Sequence, residues 1–166
     1  MNVIQELQNI RSEIMLKVDT SFAELVERLE NTDTIEIRQS ENYETIYPIT
    51  VNSALFKGKK PIAIIIGGER IDVRTWKMVV TEIMKDCNAD PEKHVSLMNL
   101  RGKISGRERV LLAKENTQMR SPLEIDKNLY FETHYDTETL LRTLMTRVLD
   151  AIEYDYSNIM IATRNA

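Results

Sequence analysis

Residues 61–73 decide the fold of this chain, and they read PIAIIIGGERIDV. The continuous apolar run from Pro61 to Ile66 predicts a buried strand, and the alternating residues from Glu69 to Val73 predict a second strand. Gly67 and Gly68 separate the two runs, and glycine readily adopts the positive φ angles that a tight hairpin turn needs. The sequence therefore predicts an antiparallel hairpin at the centre of the fold.

Further helices and strands are predicted after this hairpin. Thr75, Asp90 and Asp136 each precede an apolar helical stripe and are residue types that favour the helix N-cap. Pro91 suits the first position of a helix. The fold class is therefore α+β, with a small antiparallel sheet and helices packed on one of its faces. The predicted elements are helices at 76–88, 91–100 and 137–152 and strands at 109–113, 129–133 and 159–162.

Residues 2–31 predict one long amphipathic helix at the N-terminal end of the chain. Its apolar residues recur every three or four positions, so they share one face, and no Gly or Pro interrupts them. At about 1.5 Å per residue the helix would be about 45 Å long, longer than the rest of the domain is wide. We expect its stripe to form a homodimer interface, and folding back over its own sheet is the alternative. Consecutive spacings of four residues interrupt the heptad pattern, so an ideal coiled coil is not expected. The stripe consists of Val3, Leu7, Ile10, Ile14, Val18, Phe22, Leu25 and Leu29.

This pattern divides the chain into three parts. Residues 1–31 form the oligomerisation helix, residues 32–58 a connecting arm, and residues 59–166 the α+β domain. Residues 34–38 alternate within the arm and predict a short strand. The segment around Tyr47 and Phe56 has no regular period, but its aromatic side chains are costly to expose, so we expect it to lie against the domain.

The formal charge of −4 conceals a segregation of charge along the chain. Residues 1–56 carry a formal charge of −6, residues 57–120 carry +6, and residues 121–166 carry −4. A local positive field matters more for nucleic-acid binding than the total charge does. The positive segment holds two basic clusters, one before the hairpin and one in the glycine-bearing loop RGKISGRER, and arginine suits phosphate geometry. The predicted contacts are Lys57, Lys59, Lys60, Arg101, Lys103, Arg107 and Arg109.

Patterns for catalysis, metals and nucleotide phosphates are weak or missing. The chain has one cysteine and two histidines, with no zinc-ligand spacing, so neither a metal nor a cofactor is predicted. Neither the Walker nor the GxGxxG pattern occurs. A nucleophile pair of Cys87 and His94 is conceivable, but a buried core cysteine beside a surface histidine is the preferred interpretation. Glu132, His134 and Asp136 are a conceivable acid–base cluster, and an exposed polar edge with a helix cap is the preferred interpretation.

Residues 59–166 also resemble a known family. The stretches KKPIAIIIGGERIDVRTWK (59–77), NLYFET (128–133) and LLRTLMTRVLDAIEYD (140–155) carry the resemblance. The family is the small accessory domain of bacterial restriction and mobile-element proteins that is associated with restriction enzymes and adenine methylases. The resemblance implies DNA binding in a defence or mobile-element context. It implies no catalytic residues.

These observations predict a non-enzymatic nucleic-acid-binding accessory protein that contacts DNA or RNA phosphates through basic loops. The alternative is a protein-interaction module, an inhibitor or adaptor whose acidic N-terminal helix docks a basic protein partner. One cysteine excludes an internal disulfide, and no secretory signal or membrane span is predicted, so a cytoplasmic location is expected.

Overall fold

The computed structural model describes residues 3–32, 44–105 and 109–165. The chain forms two compact units, residues 1–41 and 42–166. The first unit contains helix α1, Val3–Thr32, which confirms the predicted long helix. The second unit is a mixture of helices and antiparallel strands, which confirms the α+β class. The strand predicted at 34–38 lies outside the described residues. No described helix is long and apolar enough to cross a membrane.

The central hairpin consists of β2, Lys59–Ile66, and β3, Glu69–Asp72. Ile66 pairs with Glu69, so Gly67 and Gly68 alone form the turn. Their φ angles are 58° and 82°, which a side chain at either position would strain. The predicted glycine hairpin is therefore confirmed.

The hairpin belongs to a four-stranded antiparallel sheet. Strand β1, Thr45–Pro48, and the C-terminal strand β7, Met160–Asn165, complete it in the order β1-β7-β2-β3. The compact unit thus includes β1 and a 3₁₀ turn at Ser53–Phe56, both within the segment that the sequence assigns to the connecting arm. The register of β2 against β7 shifts between Pro61 and Ala63, where the proline has no N–H to donate.

A bidentate ion pair joins the two edges of this sheet. Arg70 of β3 donates to both carboxylate oxygens of Glu44, which directly precedes β1, at 2.5 and 3.1 Å. The edge strands of a flat four-stranded sheet are about 14 Å apart. The sheet must therefore curl to bring these two residues together. Ala63 and Ala162 pair on the two central strands and are buried there, and their small side chains leave room for this curvature.

The remaining strands form a second antiparallel sheet that the sequence does not separate from the first. Strand β4 is Leu112–Ala113, β5 is Pro122–Asp126 and β6 is Leu129–Glu132, in the order β4-β6-β5. The predicted strand at 109–113 is only partly correct. Val110 instead forms an isolated bridge with Ser105, so regular pairing begins at Leu112.

All three predicted helix starts are confirmed by their caps. Thr75 caps α2, Trp76–Ala89, and Asp90 caps α3, Pro91–Leu100, with proline at its start. Asp136 accepts a hydrogen bond from the Thr139 N–H at 3.0 Å and caps the short helix α4. Helix α4 is Thr137–Thr143 and continues as a π-helical segment, Leu144–Leu149, so the predicted helix to residue 152 changes its winding partway. Its apolar residues are buried as expected: Leu140, Leu141, Leu144, Val148, Leu149 and Ile152.

Candidate nucleic-acid interface

The first basic cluster lies at the end of the four-stranded sheet where β2 begins. Lys57 follows the 3₁₀ turn and is exposed, and Lys60 is exposed on β2. Lys59 is half-buried, and its Nζ donates to Asn165 Oδ1 at 3.2 Å and lies 5.7 Å from the centre of the Tyr47 ring. These contacts orient Lys59 but bring no negative charge to it.

Arg164 joins this cluster from the other end of the sequence. It pairs directly with Lys60 across β2 and β7, and both side chains are exposed. Residues opposite each other in an antiparallel pair point to the same face, where like charges destabilise the pairing by about 0.2–1 kcal/mol. Arg164 is not predicted from the sequence, because a residue more than 100 positions away becomes a neighbour only through strand pairing.

Helix α2 contributes further cations to the same end of the sheet. The indole N–H of Trp76 donates to the Lys59 carbonyl at 3.1 Å, which places the first turn of α2 beside the start of β2. Lys77 Nζ donates to the Pro122 carbonyl at 3.2 Å. Exposed Arg74 immediately precedes the Thr75 cap. We call these residues together the cationic sheet end: Lys57, Lys59, Lys60, Arg74, Lys77 and Arg164.

No member of the cationic sheet end forms an ion pair with a carboxylate of residues 3–32, 44–105 or 109–165. The partners of Lys59 and Lys77 are a neutral amide and a neutral carbonyl. Within the part of the chain that the structure describes, no direct ion pair neutralises these positive charges. Such a group attracts polyanions at a distance of about a Debye length.

The structure describes only part of the second basic cluster. Arg101 follows α3, and its guanidinium donates to the carbonyls of Met98, at 2.9 Å, and Asn128, at 2.8 Å. Arg101 thus holds the α3 end against the β5–β6 turn. Lys103 is exposed, and Arg107 lies outside the described residues. Arg101 thus joins two elements, and a contact surface that it shares with Lys103, Arg107 and Arg109 stays a prediction.

Arg109 belongs to a different environment, beside the buried carboxylate of Glu132. Glu132 is fully buried at the end of β6. Its Oε2 accepts from the Arg120 N–H at 2.7 Å, and its Oε1 accepts from the N–H groups of Ser121, at 3.0 Å, and His134, at 2.9 Å. The carboxylate thereby holds the loop before β5 and the segment after β6 together.

The pKa of Glu132 is affected in opposite directions by burial and by its hydrogen-bond donors. Burial is the largest single influence and raises the pKa, but the three backbone donors and the nearby charge of Arg109 together outweigh it. The pKa is therefore lowered from the usual 4.5, so Glu132 is a carboxylate at neutral pH. Its role is structural, and the charge of Arg109 makes the smallest contribution to the lowered pKa.

The conceivable acid–base cluster is not assembled. Glu132 is buried and bound by backbone donors, Asp136 caps α4, and the His134 side chain is exposed. The preferred interpretation of the sequence is correct for the helix cap and wrong for Glu132, which does not lie on an exposed edge. Its burial depends on the loop at Arg120 and Ser121 folding over it, and strand alternation does not reveal that.

Cys87 and His94 do not form a nucleophile pair either. Cys87 is fully buried in the core, as expected, and His94 Nδ1 lies 2.7 Å from Asn88 Oδ1. Burial, followed by the charge of Asp86, raises the pKa of the Cys87 thiol to about 12. No group of three or more metal-ligating side chains occurs among the described residues.

Cys87 should therefore resist chemical modification in the native protein. At pH about 8 the buried neutral thiol is expected not to react with a disulfide reagent, because the thiolate is the reactive form. The measurement is absorbance of the released thiol, and the same protein in denaturant, where one thiol per chain should react, is the control. Native labelling at the rate of free cysteine would contradict the placement of Cys87.

Comparison of the chain with protein-family models, with curated proteins and with solved structures gave no match.

Proposed function

We propose that the compact unit of residues 42–166 is a non-enzymatic nucleic-acid-binding module. Its contact surface is the cationic sheet end, which includes the first of the two predicted basic clusters. The resemblance of residues 59–166 to accessory domains of restriction and mobile-element proteins points to the same class of ligand.

The observation that supports this proposal most directly is the facing pair of Lys60 and Arg164. Opposite charges across a strand pair would stabilise the sheet, yet this position carries two exposed cations of like charge. Residues that lower stability without any internal gain are found preferentially at functional sites. A phosphate placed between the two side chains would relieve their repulsion.

The composition of the surface fits phosphate contacts better than base reading. Lysines act as point charges toward phosphates, and arginine binds them with a bidentate fork. Phosphate contacts position a protein on a nucleic acid without reading its sequence. We therefore expect weak sequence preference and strong dependence on salt, with log K falling by about 0.9 per log unit of salt for each phosphate contacted on duplex DNA.

The test is the paired substitution Lys60→Glu with Arg164→Glu. Binding of a fluorescent DNA duplex, followed by anisotropy between about 50 and 200 mM salt, is expected to weaken by at least about tenfold at the lowest salt, and the salt slope should become shallower. A duplex RNA of the same sequence, measured in parallel, shows which nucleic acid is preferred.

The matched control is Lys114→Glu with Lys127→Glu, which makes the same change in net charge. Lys127 lies in the β5–β6 turn, and Lys114 follows β4 toward that turn. Both therefore lie at one end of the three-stranded sheet, whereas Pro122, which Lys77 contacts, lies at the opposite end. Binding should remain close to the wild type in this control. Equal loss in both variants, or no binding by the wild type at low salt, would reject the proposal.

A second candidate function, a protein-interaction module, is favoured by helix α1. The described apolar side chains of its predicted stripe are exposed, namely those of Val3, Leu7, Ile10, Ile14, Val18, Phe22 and Leu25. The side chain of Leu29 lies outside the described part of the chain. A protein partner on this stripe is compatible with nucleic-acid binding by the compact unit.

A further inference from the structure

The apolar residues of α1 repeat with a period of eleven. Three columns of the helix carry an apolar residue at every repeat, each column being three residues spaced eleven apart. Eleven residues make three turns at 3.67 residues per turn, close to the 3.6 of an α-helix, so each column runs nearly parallel to the helix axis. The interrupted heptad pattern thus follows an eleven-residue repeat in these three columns, with Ile10 and Phe22 of the stripe outside them. The columns are Val3, Ile14 and Leu25, then Leu7, Val18 and Leu29, then Ile4, Met15 and Val26.

This stripe is too large to be an ordinary exposed surface. Ile14, Met15 and Val18 are each 56% exposed and Phe22 is 68% exposed. Together with the column of Ile4, Met15 and Val26, the stripe has ten described apolar residues that each expose on the order of 100 Å². They give roughly 1,000 Å² per helix, whereas the largest patch on a monomer is about 300–600 Å². A stable interface buries about 800 Å² per partner, so the stripe is large enough for one.

The stripe is also too wide for a single partner helix. Successive residues lie about 100° apart around a helix, so Met15 projects about 100° away from Ile14. A two-stranded coiled coil buries only a narrow seam. The column containing Met15 would remain exposed in a pair, but a second neighbouring helix would cover it.

We infer that α1 assembles with the α1 helices of other copies into a bundle of three or more helices. A second copy supplies a surface of the same length, area and eleven-residue period, so every apolar column meets another. A helix of 30 residues gains most of its stability from packing of its apolar face, and the bundle provides that packing. The period near 3.67 predicts helices that are straight or wound slightly to the right. Each assembly would then carry several copies of the compact unit.

Three single substitutions in the full-length chain test this inference. Ile14→Glu places a charge in the first column, and Met15→Glu places it in the column that only a second neighbour would cover. Leu16→Glu is the matched control, because Leu16 is 68% exposed but lies outside the three columns. Light scattering of nucleic-acid-free protein measures the mass, and circular dichroism measures the helix content.

The wild type and the Leu16→Glu variant should have a mass of three or more times the 19.3 kDa chain. Ile14→Glu should reduce the mass to that of a single chain, and Met15→Glu should reduce the copy number. A wild-type mass of one or two chains would overturn the inference. In that case α1 would pack on its own sheet or bind another protein. Equal dissociation by Leu16→Glu, or no effect of Met15→Glu, would also overturn it.

Discussion

Replacement of Glu132 by alanine should lower the free energy of unfolding by about 4 kcal/mol, because each buried N–H left without an acceptor costs about 1–3 kcal/mol. Three backbone N–H groups would lose their acceptor, those of Arg120, Ser121 and His134. Arg109, whose charge lowers the pKa of Glu132, would also lose a nearby carboxylate. Urea unfolding followed by the fluorescence of Trp76, the only tryptophan, measures the change.

Glu132→Gln separates the charge from the shape of the side chain. The amide oxygen can accept from two of the donors, but its NH₂ group meets the third N–H, so we expect a loss of about 2 kcal/mol at neutral pH. Glu115→Gln is the matched control, because Glu115 is exposed and forms no ion pair with a described residue. Equal stability of the two variants would contradict the structural role of Glu132.

The difference in stability between the wild type and Glu132→Gln should also depend on pH. The folded-state pKa of Glu132 lies below the unfolded value of 4.5, so the folded protein binds this proton less readily than the unfolded chain does. Its stabilisation is complete above pH 4.5 and is lost as the pH falls through the folded-state pKa. The difference in stability between the wild type and Glu132→Gln should therefore shrink in acid. A difference that grows below pH 4.5 would contradict the lowered pKa.

Replacement of Phe56 by alanine is the second change with a large expected effect. Phe56 is fully buried, and its ring meets those of Tyr47 and Trp76 edge-on at centroid distances of 5.8 and 5.3 Å. Removing a buried phenylalanine costs about 3–5 kcal/mol through lost burial and the cavity it leaves. The urea midpoint should fall accordingly, and Trp76 fluorescence should report both the unfolding and the altered surroundings of the indole.

Leu55→Ala is the control for this cavity. Leu55 is the neighbouring residue on the same 3₁₀ turn, but its side chain is 49% exposed. We expect a loss of about 1 kcal/mol or less, since truncation at the surface leaves no enclosed cavity. A similar loss in both variants would indicate that the turn contributes through its backbone and not through the Phe56 ring.

Local sequence patterns predict those elements whose cause is local. The glycine pair between two apolar runs dictates a hairpin, and the caps at Thr75, Asp90 and Asp136 dictate where helices begin. Each depends on residues within a few positions of one another, where backbone conformation and capping hydrogen bonds act. The positive charge at the start of β2 can also be predicted from the sequence, because Lys57, Lys59 and Lys60 are sequence neighbours.

Local sequence patterns do not predict features that arise when residues far apart in the chain come into contact. Strand β1 has no alternation, because it is a short edge strand that β7 recruits more than 100 residues later in the chain. Arg101 and Arg109 lie in one basic segment of the sequence, but Arg101 joins α3 to a turn, whereas the charge of Arg109 lowers the pKa of the buried Glu132. Their different roles depend on which carbonyl or carboxylate the fold brings within reach.

Adjacent residues suffice to predict the α+β class, the hairpin, the helix starts and the long apolar helix, since each follows from local conformational preferences. The placement of Arg164 opposite Lys60 and of Glu132 among backbone donors emerges only from the fold. Burial of Phe56 agrees with the expectation that its segment lies against the domain. Electrostatic repulsion, desolvation and packing depend on distances in space, and residues far apart in sequence acquire those distances when the strands pair.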